Sequence, residues 1–237
     1  DCVPMYFEPD GTFPNHHPDP TQKANLEDLK AKVKETGADL GIAFDGDADR
    51  IGVVDKDGNP VWGDRLQVIY WREILAKHPG TLALIEVKCS QGLVDAVVAM
   101  GGKPEFTRTG HSLIKAKMKE SGALFTGEMS GHMFFRDAHF GYDDALYAAV
   151  RLLRILTSSD EDLTGMLREI PTYWSTPEIR VSCSDEEKFG IVQELTNLFR
   201  KTNEVITVDG ARVLFSHGRG LIRPSNTQPA LVLRAES

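Results

Sequence analysis

The chain has 237 residues, 41% of them hydrophobic and 26% charged, and its 27 basic and 35 acidic side chains give a formal net charge of −8. This composition is that of a globular protein of one or two domains, and it excludes a disordered or fibrous chain. It contains neither an apolar stretch of roughly 20 residues nor a basic segment followed by an apolar leader, so we expect a cytoplasmic protein without a membrane partner. Its three cysteines lack paired spacing, which argues against a disulfide framework and a zinc site. It has no basic run, so we expect no nucleic-acid partner.

The chain opens with a helix and strands around an acidic loop. Asn25 can cap a helix whose apolar residues recur at helical spacing until Gly37 ends it. A strand over 40–44 leads directly into the acidic loop. Residues 51–54 and Val61 then flank a turn rich in Asp and Gly, as the two arms of a hairpin do.

The middle of the chain alternates between helical and strand patterns. The predicted elements are a helix over 65–77, a strand over 81–87, a helix over 92–100, a short strand near Phe106, a helix over 112–120, strands over 124–126 and 132–135, and a helix over 143–156. This alternation is typical of a mixed, mostly parallel sheet with covering helices, so the sequence predicts an α/β domain.

The pattern changes after this domain. Residues 157–172 are polar at first and end near a proline, which predicts a linker. The elements predicted beyond it are a strand over 178–182, a helix over 186–201, strands over 205–208 and 211–216, and short strands around Leu221 and Leu231. This succession predicts a smaller α+β domain.

The acidic loop has the composition of a cation site. Asp45, Asp47 and Asp49 alternate in Asp-Gly-Asp-Ala-Asp-Arg, so a tight turn can direct three carboxylates at one hard cation. Oxygen-only ligands favour Mg²⁺ or Ca²⁺ over zinc. Three like charges this close also repel one another when no cation is bound. The sequence therefore predicts a metal loop, and the structural alternative is an exposed acidic turn.

Two other acidic motifs begin in a similar way. An EF-hand needs Gly at its sixth position and Glu at its twelfth, where this chain has Arg50 and Lys56, so a calcium loop of that type is excluded. A phosphatase of the haloacid-dehalogenase type also places an Asp-x-Asp pair after an apolar strand, but it has Thr or Val where Asp49 stands. Such a sugar phosphatase, with Asp45 as covalent nucleophile, is the alternative function.

Further loops carry groups suited to a sugar phosphate. In Gly-Glu-Met-Ser-Gly-His, Glu128 and Ser130 can hydrogen-bond sugar hydroxyls, and His132 can exchange a proton near neutral pH. Arg223 opens Arg-Pro-Ser-Asn-Thr-Gln-Pro, a turn that can bind phosphate. Lys88 closes a strand at the edge where α/β proteins bind ligands, and Thr-Gly-His-Ser opens a helix whose N–H groups favour anions. Each loop alone also fits an ordinary turn.

In combination these motifs resemble the α-D-phosphohexomutase family, most closely its bacterial phosphomannomutase/phosphoglucomutase members. The matching segments are DGDADR at 45–50, GEMSGH at 127–132, RPSNTQP at 223–229, TGHS at 109–112, VKCS at 87–90 and PNHHPDP at 14–20. The resemblance covers essentially the whole chain, with three independent loops in the family's order. It implies the end of domain 2 over 1–58, domain 3 over 59–160, and domain 4, incomplete at its end, over 161–237.

The resemblance also implies roles for individual residues. The expected set is Asp45, Asp47 and Asp49 for Mg²⁺; Arg50, Lys88, His111 and His132 around the reacting groups; Glu128 and Ser130 on the sugar hydroxyls; and Arg223, Ser225, Asn226 and Thr227 on the non-reacting phosphate. His132 is the candidate for proton transfer. Met129 is similar to the mannose/glucose members of the family, whereas the glucosamine mutases usually have Gln at this position.

The reaction that the resemblance implies is the reversible interconversion of the 1-phosphate and 6-phosphate of mannose or glucose. In that reaction a phosphoserine donates its phosphoryl group to the sugar, and the bisphosphate then returns its other phosphate to the serine. Family members have four domains, and the first carries this serine in a Ser-His-Asn-Pro type of loop, which does not occur here. We therefore expect a fragment that is inactive alone, whose partners are hexose phosphates and its own N-terminal domains. A non-catalytic fragment that binds metal and sugar phosphate is a further alternative.

Overall fold

The computed structural model describes residues 1–237, which begin with an irregular segment and a small antiparallel sheet. The elements are a 3₁₀ turn (Lys23–Leu26), α1 (Glu27–Thr36), β1 (Leu40–Phe44), β2 (Ile51–Asp55) and β3 (Pro60–Val61), with the strands in the order β1-β2-β3. Gly37 ends α1 in the left-handed conformation, as predicted. The predicted cap is wrong, because the Asn25 side chain donates to the carbonyl of Asp19 at 3.0 Å.

The middle of the chain confirms the α/β class. Its elements are α2 (Gly63–Lys77), β4 (Leu82–Glu86), α3 (Gln91–Ala99), β5 (Lys103–Thr107), α4 (His111–Ser121), β6 (Phe125–Gly127), β7 (Met133–Phe135) and α5 (Ala145–Thr157). Parallel pairing is confined to β4 and β5, which α3 connects. β6 and β7 pair antiparallel because the short loop between them can only reverse the chain. β6 lies beside β4, where Thr126 Oγ1 donates to the carbonyl of Leu84 at 2.8 Å.

The core is built around α2, which is buried on nearly all sides. Tyr70 and Trp71 are both fully buried and meet the ring of Phe125 edge-on, at centroid distances of 5.5 and 5.1 Å. The Tyr70 hydroxyl donates to the carbonyl of Ala148 at 2.9 Å, which connects α2 to α5. This packing joins α2 to β6, the strand that leads into the predicted sugar loop.

The segment 157–172 is not the predicted linker. It contains α6 (Leu163–Leu167), whose Leu163, Met166 and Leu167 are buried in the main core. Arg65 and Arg72 of α2 each donate to a carbonyl of this segment at 3.0 Å. The polar residues at its start concealed a short apolar spacing typical of a helix.

The last part of the chain forms the predicted α+β unit. Its elements are β8 (Ile179–Ser182), α7 (Lys188–Phe199), β9 (Glu204–Ile206), β10 (Ala211–Phe215), β11 (Gly218–Pro224) and β12 (Ala230–Glu236). The strands form one antiparallel sheet in the order β8-β12-β11-β10-β9, and α7 packs against it. β11 and β12 are longer than the short strands predicted around Leu221 and Leu231. No helix of the chain combines the length and apolar character that crossing a membrane requires.

Three arginines attach this sheet to the end of β4. Arg212 donates to the carbonyls of Val87 and Cys89 at 2.8 and 2.9 Å, and Arg219 donates to Cys89 at 2.7 Å. Arg234 donates to the carbonyl of Lys88 at 3.0 Å. The C-terminal sheet therefore lies against the same strand end that carries one of the predicted site residues.

Candidate functional site

The predicted metal loop connects β1 to β2 and is closed by the Asp45 side chain. Asp45 Oδ1 accepts hydrogen bonds from the backbone N–H groups of Asp49 and Arg50, each at 3.0 Å. Ala48 has a left-handed φ of 59°, which reverses the chain inside the loop. As a result, ligand oxygens of Asp45, Asp47 and Asp49 all lie within 4.8 Å of one another. The three carboxylates that alternate in the sequence converge in the structure.

The charges of this loop fit a divalent cation. Burial raises the pKa of the Asp49 carboxyl above its usual value, and Asp45 and Asp47 raise it further against the opposing effect of His132. Burial would also raise the pKa of Asp45, but hydrogen bonds from Arg50 and Asp49 outweigh it and hold that pKa low. Crowded carboxylates that offer only oxygen are a donor set for Mg²⁺ or Ca²⁺.

Arg50 is held at the end of the same loop by two carboxylates. Its Nε donates to Asp45 Oδ2 at 2.5 Å, and its Nη1 donates to Asp19 Oδ1 at 3.2 Å. Asp19 belongs to the segment PNHHPDP at 14–20, one of the segments that resemble the phosphohexomutases, for which no role was predicted. The guanidinium is therefore fixed in orientation beside the three carboxylates.

The predicted sugar loop joins β6 to β7. Glu128 is only 3% exposed, and its Oε1 accepts from the backbone N–H of Gly110 at 2.8 Å. Its Oε2 lies 2.7 Å from His132 Nδ1, and Ser130 Oγ lies 3.0 Å from the same nitrogen. The three residues that the sequence singled out in this loop therefore form one hydrogen-bonded group.

His132 connects the sugar loop to the metal loop. Its Nε2 lies 3.2 Å from Asp49 Oδ1, and its ring stacks on that of His111 with centroids 5.8 Å apart. Burial by itself would lower the pKa of His132, but the contact with Glu128 and the charges of Asp49 and Asp143 outweigh it and raise that pKa. A raised pKa favours an imidazole that holds a proton near neutral pH.

The predicted phosphate loop follows β11. Arg223 is 4% exposed, its Nε donates to Asp209 Oδ2 at 2.8 Å, and its buried Nη2 has no protein partner. Ser225 is also buried, and its Oγ accepts from the backbone N–H of Thr227 at 3.4 Å. Asn226 and Thr227 are exposed. A buried guanidinium with an unpaired donor beside an exposed polar turn can bind an anion.

Lys88 lies just beyond β4 with its ammonium largely enclosed. Its Nζ is 3.8 Å from Glu86 Oε1 and 3.7 Å from Glu178 Oε2. Burial opposes the charge, but Glu86, Glu178 and Glu128 outweigh it and hold the pKa of Lys88 above its usual value. The site therefore keeps a positive charge at this strand end.

Hydrogen bonds connect the loops around the site, from the metal loop through the sugar loop and the TGHS loop to the phosphate loop. The backbone N–H of Ile51, after the metal loop, donates to the carbonyl of Gly131 in the sugar loop at 3.1 Å. The sugar loop contacts the loop TGHS through the bond between Glu128 and Gly110. Thr109 of that loop donates its N–H to Asp209 at 3.1 Å and accepts from Asn226 at 3.5 Å. The predicted metal, sugar and phosphate residues thus surround one region.

Sequence reasoning missed the carboxylates that hold these residues in place. Asp143 contacts His111 Nδ1 at 3.2 Å and accepts from Lys115 at 2.8 Å. Asp209 holds both Arg223 and the backbone of Thr109. Asp209 directly precedes Gly210 and Asp143 lies two residues after Gly141, in short irregular segments where Asp is common, so no local signal separated them from ordinary turn residues.

Gly131 allows the sugar loop to approach β2 closely. Its φ is +102°, and a Cβ at this position would lie 2.4 Å from the carbonyl oxygen of Ile51. We expect Gly131→Ala to force the two segments apart and to lower the free energy of unfolding by about 1–3 kcal/mol, measured by urea titration. Gly80→Ala is the matched control, because Gly80 has a φ of +72° but no atom within 4 Å of such a Cβ. Equal losses in both variants would contradict the close approach.

Comparisons with known proteins identify the family of this arrangement. The family models described as phosphoglucomutase/phosphomannomutase alpha/beta/alpha domain II, alpha/beta/alpha domain III and C-terminal domain match residues 1–58, 62–173 and 178–237, respectively. A phosphomannomutase/phosphoglucomutase of Pseudomonas aeruginosa is 47% identical over 236 residues, which are 99% of this chain and 51% of that protein. A phosphoglucomutase of Neisseria gonorrhoeae is 46% identical over 98% of this chain and 51% of its own length.

A solved structure agrees with these matches. The crystal structure of a phosphoglucomutase/phosphomannomutase family protein from Burkholderia thailandensis superposes with a TM-score of 0.89 at 44% identity, over 99% of this chain and 50% of that one. The chain thus spans about half the length of the relatives it matches. Since the three domain models together cover nearly all of its residues, the chain belongs to the phosphoglucomutase/phosphomannomutase family, the α-D-phosphohexomutases.

Proposed function

We propose that this chain supplies the metal, sugar and phosphate sites of an enzyme that interconverts hexose 1-phosphates and hexose 6-phosphates. The observation that carries the proposal is the contact between the metal, sugar and phosphate loops in a chain of this family. The names of its relatives from Pseudomonas and Neisseria, phosphomannomutase/phosphoglucomutase and phosphoglucomutase, support mannose and glucose phosphates as substrates. Met129 in the sugar loop supports the same two sugars over glucosamine.

The proposed substrate lies with its sugar on Glu128 and Ser130 and its non-reacting phosphate on Arg223. Ser225, Asn226 and Thr227 contact the same phosphate, with Arg50, Lys88 and His111 around the reacting one. His132 holds the proton that a sugar hydroxyl gives up or receives, and Glu128 orients its ring from Nδ1. Lys88 and Arg50 provide positive charge for a phosphoryl group.

Asp45, Asp47 and Asp49 would hold Mg²⁺ in this proposal. The three carboxylates fit the ion because they supply hard oxygen donors, and because burial and the charges of Asp45 and Asp47 raise the pKa of Asp49, a cost of the charged form that a cation would relieve. A bound Mg²⁺ supplies positive charge for phosphate oxygens during transfer. Calorimetric titration of the chain with Mg²⁺ measures the site directly.

The phosphoryl donor in this proposal is a phosphoserine outside the 237 residues. No Ser-His-Asn-Pro type of sequence occurs among them, and the matched family models are domains II, III and the C-terminal domain. The proposed partners of this chain are therefore hexose phosphates and an N-terminal domain that carries the serine.

The geometry of Asp45 counts against the alternative phosphatase. Its carboxylate is 6% exposed, and both of its oxygens already accept hydrogen bonds from Asp49 or Arg50. A covalent nucleophile needs an oxygen that can reach phosphorus. Incubation with hexose phosphate followed by borohydride reduction would convert an aspartyl phosphate at Asp45 to homoserine. We expect mass spectrometry to find Asp45 unchanged.

Asp47 is the most exposed of the three carboxylates, so its substitution disturbs the fold least. We expect weak Mg²⁺ binding by the chain, weakened at least about tenfold by Asp47→Asn, because one charged ligand is lost. Asp57→Asn removes the same charge from an exposed turn at the other end of β2 and should leave the affinity unchanged. Equal Mg²⁺ affinity of the Asp47→Asn variant and the unaltered chain in calorimetry would remove Asp47 from the site.

A further inference from the structure

A buried carboxylate lies beneath the site without a role in the proposed reaction. Glu86 is the last residue of β4, and its side chain is fully buried. Its Oε1 accepts from Thr109 Oγ1 at 2.5 Å, and its Oε2 accepts from the backbone N–H of Met129 at 3.2 Å. Lys88 Nζ lies 3.8 Å from Oε1. Three separate segments thus meet at one carboxyl group.

Each of these segments carries residues of the proposed site. Thr109 lies 23 residues from Glu86 and opens the loop that ends in His111, and Met129 lies 43 residues from Glu86 and directly follows Glu128. Lys88 shares its strand end with Glu86. The Glu86 carboxylate therefore links the Lys88 strand end to both the TGHS loop and the sugar loop.

The surroundings of Glu86 leave no simple substitute for these bonds. Cys89 Sγ lies 3.8 Å from Oε2, and Gln67 Nε2 lies 3.6 Å from that sulfur, so the side of the carboxylate away from the loops is closed by buried groups. Removing a carboxylate from water is costly, and hydrogen bonds to both of its oxygens offset that cost. Here the bonds fix two loops relative to one strand end.

We propose that Glu86 is a positioning residue that sets the sugar loop and the TGHS loop in register with Lys88, so that a hexose phosphate meets Glu128 while its phosphate meets Arg223. The expected effect of Glu86 on hexose-phosphate affinity rests on the proposed function. Its structural content, the attachment of Met129 and Thr109 to one carboxylate, is measurable without any substrate. Glu86→Gln is the informative variant, because the amide keeps the shape but offers only one accepting oxygen to the two donors.

The first measurement is the rate of amide hydrogen exchange in the unliganded chain, monitored by NMR. We expect the Met129 amide to exchange about tenfold faster or more in Glu86→Gln, because the charge of its acceptor is lost and the one remaining oxygen has to serve both Met129 and Thr109. Glu73→Gln is the matched control, since Glu73 is another largely enclosed carboxylate of the same core, paired with Arg151 at 3.0 Å. That variant should leave Met129 unchanged. Equal protection of Met129 in Glu86→Gln and in the unaltered chain would overturn the proposal.

The second measurement compares two ligands in calorimetry. Glu86→Gln should weaken the binding of glucose 1-phosphate at least about fivefold, while the affinity for inorganic phosphate changes less than about twofold, because Glu86 makes no hydrogen bond to the phosphate loop and is linked to it only through Thr109. Glu86→Asp should restore part of the sugar-phosphate affinity. Thr109→Val removes one hydrogen-bond donor to Glu86 and keeps the charge of that carboxylate. This variant should also lose more affinity for glucose 1-phosphate than for inorganic phosphate, but by a smaller factor. Equal losses for both ligands, or none, would overturn the positioning role.

The two measurements separate the inference from the proposed function. If the unaltered chain binds inorganic phosphate but not glucose 1-phosphate, the proposed sugar site is contradicted, and the positioning of a sugar by Glu86 falls with it. Accelerated exchange at Met129 would then still establish the attachment of the loop to Glu86. If glucose 1-phosphate binds normally to both the unaltered chain and Glu86→Gln, only the role of Glu86 is contradicted.

Discussion

The purified chain should convert no mannose 1-phosphate to mannose 6-phosphate, even with Mg²⁺ and glucose 1,6-bisphosphate present. Phosphoryl transfer depends on a donor held in line with its acceptor, and none of the 237 residues provides the expected phosphoserine loop. In the proposed function the metal, sugar and phosphate loops bind and orient a substrate, but they do not store the phosphoryl group between the two half-reactions. Turnover is measured by ³¹P NMR, which distinguishes the two phosphate positions.

Turnover should return when the donor is restored. The phosphorylated N-terminal part of the Pseudomonas aeruginosa relative, which this chain does not cover, is the natural test because the shared part is 47% identical. The same N-terminal part without phosphate, and with no bisphosphate to load it, serves as the control. Substantial turnover by the chain alone, with longer contaminants excluded by mass spectrometry, would contradict the proposal. It would point to Asp45 as nucleophile, and Asp45→Asn would then abolish it.

Arg223→Ala should weaken the binding of glucose and mannose phosphates alike. Arg223 offers a buried donor without a protein partner, and a hydrogen bond to a charged group contributes roughly 1.5–3 kcal/mol, or about 10- to 150-fold in affinity. Both sugars lose equally because the phosphate is common to them. Glu128→Ala should instead alter the ratio of the two affinities, since the sugars differ in a hydroxyl. Calorimetry with both ligands measures each effect.

Arg223→Ala leaves Asp209 buried without its partner, which can destabilise the fold as well as remove a ligand contact. A second variant therefore separates the loss of binding from the loss of folding. The double variant Arg223→Ala/Asp209→Asn removes that charge and should still bind weakly. Arg200→Ala removes an exposed arginine at the end of α7; this variant is the control and should bind normally. Full affinity in the double variant would contradict the assignment of Arg223 to phosphate.

The chemistry of each loop was readable from the sequence because it is local. Asp45, Asp47 and Asp49 lie within one turn, so their spacing alone predicted convergence, and their oxygens do lie within 4.8 Å of one another. The same holds for Glu128, Ser130 and His132, which share one short loop. The periodic patterns likewise predicted the α/β region and the α+β region after it, since helical and strand spacings are set over a few residues.

Tertiary structure alone decided which carboxylates hold the site together. Glu86 and Asp209 each contact segments far away in the chain, such as Thr109, and their local sequences resemble a strand end and an ordinary turn. The helix at Leu163–Leu167 was missed because polar residues before it concealed its short apolar spacing, and its burial in the main core appears only in the packed structure. Hydrogen bonds within a loop are fixed by the spacing of neighbouring residues. Bonds between loops depend on how the sheets and helices pack, and that packing is a property of the whole chain.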